Sequence, residues 1–286
     1  DTVEITVDFN NYIDSHNALQ PLAEKIPAVN VSASAINGEL DNSVATTSEG
    51  IAKFVYTATV SGDDVINITS SNATVLIPLF VDVAAEGGII YVSPNGDDAK
   101  DGLTKKNAVK TLAHAVEIAT EGQIVLLAGV HTTTGLGTIS EDLNITGEGK
   151  AVIDAGNNNR ILYVGSDASV VIKNVEMING YTADESGALL GNGNKLTLIN
   201  CILANSSVGP MYNGGAIYSV GQVTIINTTI ANCSAREGGA IFTNNALAKG
   251  NALILVNSTF INNIASGNDN LGGGAIFAQQ ITEFTI

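Results

Sequence analysis

Asp184, Glu185, Glu237 and Asp269 are the carboxylates with the best prospect of chemistry in the C-terminal two thirds of this 286-residue chain. Set along one face of a strand array, such groups serve as the acid and base of glycosidic cleavage or as oxygen ligands for Ca²⁺. Between Gly187 and Ile286 the charged residues are Lys195, Arg236, Glu237, Lys249, Asp269 and Glu283, and none recurs at a fixed place in the repeat described below. No paired-carboxylate signature follows, and catalysis is the secondary expectation. The plainer readings are a solvated loop surface, or loops that bind a partner through Asp184, Glu185, Arg236, Glu237 and Asp269.

Asp97, Asp98 and Asp101 lie beside Asn95 and Gly96 and offer a weak Ca²⁺ site. Their spacing departs from the EF-hand pattern and suits a turn instead. His16 and His131 fall in expected loops and His114 on an expected helix, away from any triad or zinc-set partner, so all three are read as structural or solvated. The sequence demands no cofactor.

The elements that would position these groups form a repeat. Asn174-Val-Glu-Met-Ile-Asn179, Asn200-Cys-Ile-Leu-Ala-Asn205, Asn227-Thr-Thr-Ile-Ala-Asn232 and Asn257-Ser-Thr-Phe-Ile-Asn262 recur at intervals of 26, 27 and 30 residues. Ahead of each first Asn runs a strand with alternate apolar residues, namely Val170 and Ile172, Leu196 and Leu198, Val223 and Ile225, and Leu253 and Leu255, which should point inward. Met177, Leu203, Ile230 and Phe260 should form a further apolar stack. After each second Asn comes a loop, to which the length variation is assigned, and then Gly187-Ala-Leu-Leu, Gly215-Ala-Ile-Tyr, Gly239-Ala-Ile-Phe or Gly274-Ala-Ile-Phe.

A unit of this length, with short strands and no helix, cannot close a sheet on itself. Successive units can pair strand over strand at roughly 4.8 Å, which makes a parallel β-helix. Asn174, Asn200, Asn227 and Asn257 suit its corners, because Asn tolerates left-handed backbone geometry and its amide can bond to the Asn of the next coil. The Gly pair suits a tight corner of positive φ. Cys201 and Cys233 hold different places in this repeat and are expected to be buried free thiols rather than a disulfide.

Between Ala108 and Thr120, Val109, Leu112, Ala113, Val116 and Ala119 recur at helical spacing, which predicts one helix capping the open end of the stack. Residues 1–86 alternate apolar and polar residues in short runs, such as Val3-Glu-Ile-Thr-Val7 and Ile51-Ala-Lys-Phe-Val-Tyr56, which is a sandwich signature. Ala84-Ala-Glu-Gly-Gly88 reads as the linker.

Several of these segments resemble known families. Val29-Asn-Val-Ser-Ala-Ser, Gly38-Glu-Leu and Thr46-Thr-Ser-Glu-Gly50-Ile-Ala-Lys-Phe-Val-Tyr resemble bacterial Ig-like domains of the invasin and intimin type, with Ser48 where those domains usually carry Asp. Tyr91-Val-Ser-Pro-Asn-Gly-Asp-Asp, Lys110-Thr-Leu-Ala-His-Ala115 and Ile124-Val-Leu-Leu-Ala-Gly-Val resemble the capping region of pectate-lyase-like β-helix proteins. Gly273-Gly-Ala-Ile276 and Phe260-Ile-Asn-Asn263 resemble the repeats of chlamydial polymorphic outer-membrane proteins. The layout as a whole is similar to adhesin-like surface proteins of methanogens and some bacteria. These resemblances imply an all-β chain, with an Ig-like β-sandwich at 1–86 and a right-handed parallel β-helix at 89–286 whose capping helix spans about 108–120.

The implied role is a non-catalytic adhesin that attaches to a glycan or protein of another cell. The alternatives are a polysaccharide lyase or glycoside hydrolase on the same fold, and a structural envelope stalk. A net charge of −16 with only Arg160 and Arg236 as arginines opposes nucleic-acid binding and anionic membrane surfaces. No apolar run reaches the roughly 18 residues of a membrane span, and the start at Asp1 and the uncapped last strand suggest an excised piece of a longer protein, held to a membrane only by an anchor outside it. Asn-x-Ser/Thr sequons at Asn30, Asn67, Asn72, Asn144, Asn205, Asn227, Asn232 and Asn257 suit an extracellular, surface-anchored, monomeric glycoprotein, with Asn227 and Asn257 expected to be buried in the ladder.

Overall fold

A computed structural model describes residues 2–9, 11–13, 19–21, 30–35, 38–48, 50–58, 64–70, 73–79, 88–119, 122–244, 252–267, 272–279 and 283–285. The chain divides into two compact units, Asp1–Ala84 and Ala85–Ile286. In the first, Ile51–Ala58 lies antiparallel between Thr2–Asp8 and Gly38–Leu40. A second antiparallel sheet runs in the order Val44–Thr46, Asn30–Ala35, Asp64–Ser70, Ala73–Leu79. The period-2 pattern sends Ile5, Ala52, Phe54 and Tyr56 of one sheet and Val31, Ala33, Ile66 and Ile68 of the other into one core.

The second unit is a parallel β-solenoid. One complete coil consists of Lys195–Ile199, Ile202–Ala204, Ser207–Val208 and Ile217–Ser219. The next repeats it with Gln222–Ile226, Thr229–Ala231, Ser234–Ala235 and Ile241–Asn244. Pairing between coils is parallel and in register, Leu196 on Val223 on Leu253 and Leu203 on Ile230 on Phe260. Val170, Ile172, Leu196, Leu198, Val223, Ile225, Leu253 and Leu255 are all buried in one continuous core, which Met177, Leu203 and Ile230 extend and Phe260 flanks. Glu283–Thr285 continues the stack on Ala252–Ile254.

The corners depend on asparagine. Asn174, Asn200, Asn227 and Asn257 at the first corner, and Asn179, Asn205, Asn232 and Asn262 at the second, all have φ between 47° and 59°. The first-corner amides link Asn200 Nδ2 to Asn174 Oδ1 at 3.2 Å and Asn257 Nδ2 to Asn227 Oδ1 at 2.7 Å. At the second corner Asn232 donates to Asn205 at 3.2 Å and Asn262 to Asn232 at 3.3 Å. These ladders lie outside, not inside: Asn227 and Asn257 are exposed, which corrects the expectation of buried ladder residues. The left-handed turn throws the Asn side chain to the convex side, and the concave side is filled by neighbours such as Ile199 and Cys201.

Three other expectations change. The register at the glycine corner moves by one residue, because Gly187 N–H donates to Gly214 C=O at 3.0 Å and Leu190 pairs with Ile217. Gly187, Gly214 and Gly238, at φ of 76°, 69° and 60°, are therefore the equivalent turn residues. Ala188 occupies the place of Gly215, where a Cβ would come within 2.1 Å of Gly239 O.

Length variation is not confined to the loop after the second Asn. Two residues separate Leu190–Asn192 from Lys195–Ile199, as they do Ile217–Ser219 from Gln222–Ile226, whereas residues 245–251 separate Ile241–Asn244 from Ala252–Val256.

The helix is only Leu112–Ile118. Residues before it are held extended, since Val109 N–H donates to Tyr91 O and Ser93 N–H to Val109 O, both at 2.9 Å. Thr111 then caps the helix by accepting His114 N–H. Leu112 and Ala115 bury into the solenoid core.

The Asn corners predict a graded response. Asn227→Leu forces a side chain that disfavours left-handed geometry and breaks the ladder bond, and should lower solenoid stability by about 2 kcal/mol in urea unfolding. Asn227→Gly keeps the geometry but loses the bond and frees the unfolded chain, so it should cost less, about 1 kcal/mol. Equal losses in the two variants would show that the left-handed corner does not matter.

Candidate functional site

The loops that follow the second Asn of each coil stack on one another as the strands do. Asn213 N–H donates to Ser186 Oγ at 3.0 Å, and Gly187 N–H to Asn213 O at 3.0 Å. One coil further, Arg236 N–H donates to Tyr212 O at 2.9 Å and Gly214 N–H to Glu237 O at 3.0 Å. The structure thus puts the Asp184–Glu185 loop and the Arg236–Glu237 loop on one side of the solenoid, two coil spacings or about 10 Å apart. Asp184 and Glu185 are exposed, whereas Glu237 is buried. Asp269 lies outside the described residues.

Both glutamates described in this row pair with an arginine. Arg236 Nη2 contacts Glu237 Oε1 at 3.2 Å. Arg160, one coil before Glu185, reaches Glu185 Oε2 with Nη2 at 2.8 Å. The same guanidinium donates from Nε to Gly187 O at 2.8 Å and from Nη2 to Ser186 O at 2.5 Å. Its side chain is only 17% exposed, and its Cζ sits 5.8 Å from the centre of the Tyr163 ring. Five donors in a planar fork allow one arginine to tie the loop of the following coil at three points.

Beside this clasp, Gly137, Thr138, Arg160, Leu162, Tyr163 and Glu185 line a pocket of about 430 Å³. Thr138–Ile139 and Leu162–Val164 place its floor, since they belong to adjacent rungs of one parallel sheet. Further down the outer face of that sheet Tyr218, Phe242 and Phe277 stack nearly parallel, with ring centres 5.6 and 5.3 Å apart. Gly191 interrupts the column between Tyr163 and Tyr218. Tyr163 leans into the gap, so that a Cβ on Gly191 would lie 2.3 Å from its Cδ2.

Arg160 and Tyr163 were not among the residues singled out by sequence. An isolated arginine in a chain of low charge was the available signal, but its partner is a full coil away. The aromatic column is visible in the sequence as the residue after each of Ile217, Ile241 and Ile276, next to the motif read as a glycine corner.

The aspartates near the start of the solenoid serve turns. Asp98 Oδ1 accepts Lys110 N–H and Thr111 N–H, and its Oδ2 accepts Thr111 Oγ1–H. Those hydrogen bonds hold its carboxyl below the usual range despite the opposing effect of desolvation. Asp97 accepts Ala99 N–H and Asp101 accepts Leu103 N–H. Among the described residues no group of three His, Cys, Asp or Glu side chains is placed to hold a metal ion.

His131 is on the strand Gly129–Thr132 rather than in a loop, and it is buried, with Nε2 2.8 Å from Leu127 O and Nδ1 without a partner among the described residues. His114 lies on the helix within 3.4 Å of Glu117, and His16 is outside the described residues. Cys201 and Cys233 are buried and unbridged.

No protein-family profile matches the chain, and no curated protein matches it significantly. Among solved structures, a rhamnogalacturonan lyase is similar over 68% of this chain and 56% of its own, at 14% identity and a TM-score of 0.42. The similarity therefore spans little more than half of that enzyme.

Two expectations follow from burial. Desolvation lowers the pKa of His131, so the unfolded chain binds a proton there more readily than the folded one. Stability should fall as pH drops below the ordinary histidine value of about 6.5, and part of that fall should vanish in His131→Gln; superimposable pH profiles would refute it. Burial also pushes both thiols up to about 11. A thiol-specific disulfide reagent at neutral pH should leave the native chain unlabelled and titrate two thiols only after unfolding.

Proposed function

We propose that this chain is the binding portion of an extracellular, surface-anchored adhesin-like protein that holds a glycan or protein of another cell without turning it over. The observation that carries this reading is the row of stacked loops on one side of the solenoid. Its backbone is pinned coil to coil, its side chains differ from coil to coil, and both glutamates described in it are tied to arginines. A scaffold of fixed rungs with unequal loops is the arrangement by which repeat proteins present recognition surfaces.

In this reading the unit at 1–84, with its resemblance to bacterial Ig-like domains, acts as a spacer, and the protein works as a monomer fixed to its own cell by an anchor outside this chain. Binding requires no metal or cofactor. The carboxylates support non-catalytic use, since general acid–base cleavage of a glycosidic bond needs two carboxyl groups free to face the scissile bond from either side.

The chain should bind glycan-bearing cells or an immobilised glycan and leave that glycan intact over hours. Release of unsaturated or reducing-end products from pectin, alginate or a host glycan would overturn this function.

A further inference from the structure

We propose that the pocket lined by Thr138, Arg160, Tyr163 and Glu185 binds one neutral sugar residue of a glycan through adjacent hydroxyl groups. This deepens the adhesin reading by assigning it a site and a ligand class. At about 430 Å³ the pocket falls within the size of small-ligand sites, roughly 300–1,000 Å³.

Its polar groups are fixed before any ligand arrives. Arg160 is locked by the carbonyls of Ser186 and Gly187 and by Glu185 Oε2, while its Nη1 makes no bond among the described residues. Glu185 is 58% exposed and keeps Oε1 as an open acceptor. A guanidinium donor beside a carboxylate acceptor matches two neighbouring hydroxyls, one accepting from Arg160 and the other donating to Glu185. The hydroxyl groups of Thr138 and Tyr163 can each donate or accept, and Leu162 with the Tyr163 ring supplies apolar wall for sugar C–H groups.

Charge selects the class. The positive charge of Arg160 is already balanced by Glu185, and the chain as a whole carries −16. A uronate or sialylated residue would bring a third charge against that carboxylate, whereas a neutral sugar brings only hydroxyls.

The test uses the full chain on an array of neutral and uronate-containing oligosaccharides, with wild type, Glu185→Gln, Thr138→Val and Glu39→Gln compared after melting curves establish that each is folded. Binding to neutral oligosaccharides should weaken about tenfold or more in Glu185→Gln, through loss of a charged acceptor. Thr138→Val should weaken it less, and Glu39→Gln, on an exposed position of the first unit, should leave it unchanged. Neutral-glycan binding that survives both Glu185→Gln and Thr138→Val would overturn the pocket while leaving the adhesin reading intact. Binding confined to uronates, or strengthened by Glu185→Gln, would overturn the neutral class, and binding to no glycan would overturn the pocket without touching attachment to a protein partner. Cleavage of an array glycan would overturn the adhesin reading instead.

Discussion

Hydrogen bonding of each strand to its equivalent in the next coil, at a spacing of about 4.8 Å, is the constraint from which the solenoid follows. A coil can meet that spacing on every side only if the chain turns by the same amount at the same place each time. Among the described residues every non-glycine with positive φ is an asparagine, and eight of these nine form the two corner columns. Glycine would make the same turn, but it gives the unfolded chain more freedom to lose and offers no side chain. Asparagine tolerates the turn and returns an amide that bonds to the coil beside it, so the corner geometry and its cross-link come from one residue.

The same constraint separates what must repeat from what is free to change. Inward residues such as Leu198, Ile225 and Leu255 sit in a core that grows by one layer per coil, and a length change within the strands would shift every layer above it. Length change falls between the paired positions, in the loops before Gly187, Gly214 and Gly238, in residues 245–251, and at the first corner, where residues 147–150 stand opposite Asn174. The loops before Gly187, Gly214 and Gly238 are themselves held near their bases, by Asn213 to Ser186 and by Arg236 to Tyr212. Variation is thereby moved into side chains, which is the property a recognition surface needs.

The rungs were legible in the sequence because they are periodic. Alternating burial at Val170 and Ile172, or at Val223 and Ile225, follows from side chains pointing to opposite faces of a strand. The left-handed Asn corners were legible for the same reason. What the sequence hid was direction and offset. The repeat of Asn227 and Asn257 could not say whether the amide column lay inside the bend or outside it. Ala188 passed for the equivalent of Ala216, when it takes the place of Gly215 and packs with Val208 and Ala235. Helical spacing from Val109 onward concealed that Val109 is committed to Tyr91 and Ser93 as a strand neighbour. The ties of Arg160 to Glu185, Ser186 and Gly187 span one coil, and nothing local in either segment announces them.

Glu185 and Glu237 show why one position on this face is open and the other shut. Both follow a second-corner asparagine and both pair with arginine, yet Glu237 uses its own neighbour, Arg236, and is buried. Glu185 takes its arginine from the preceding coil, so the pair bridges two rungs at the edge of the sheet that carries Tyr163. Lower on that sheet the outward places are filled by Tyr218, Phe242 and Phe277, ring upon ring. At Gly191 the side chain is missing, and Tyr163 settles over that glycine instead of standing in the column. The space it leaves toward Gly137 and Thr138 is the pocket. One glycine in an aromatic column, with one arginine borrowed from the coil before, turns a filled scaffold face into a cavity that offers a donor and an acceptor together.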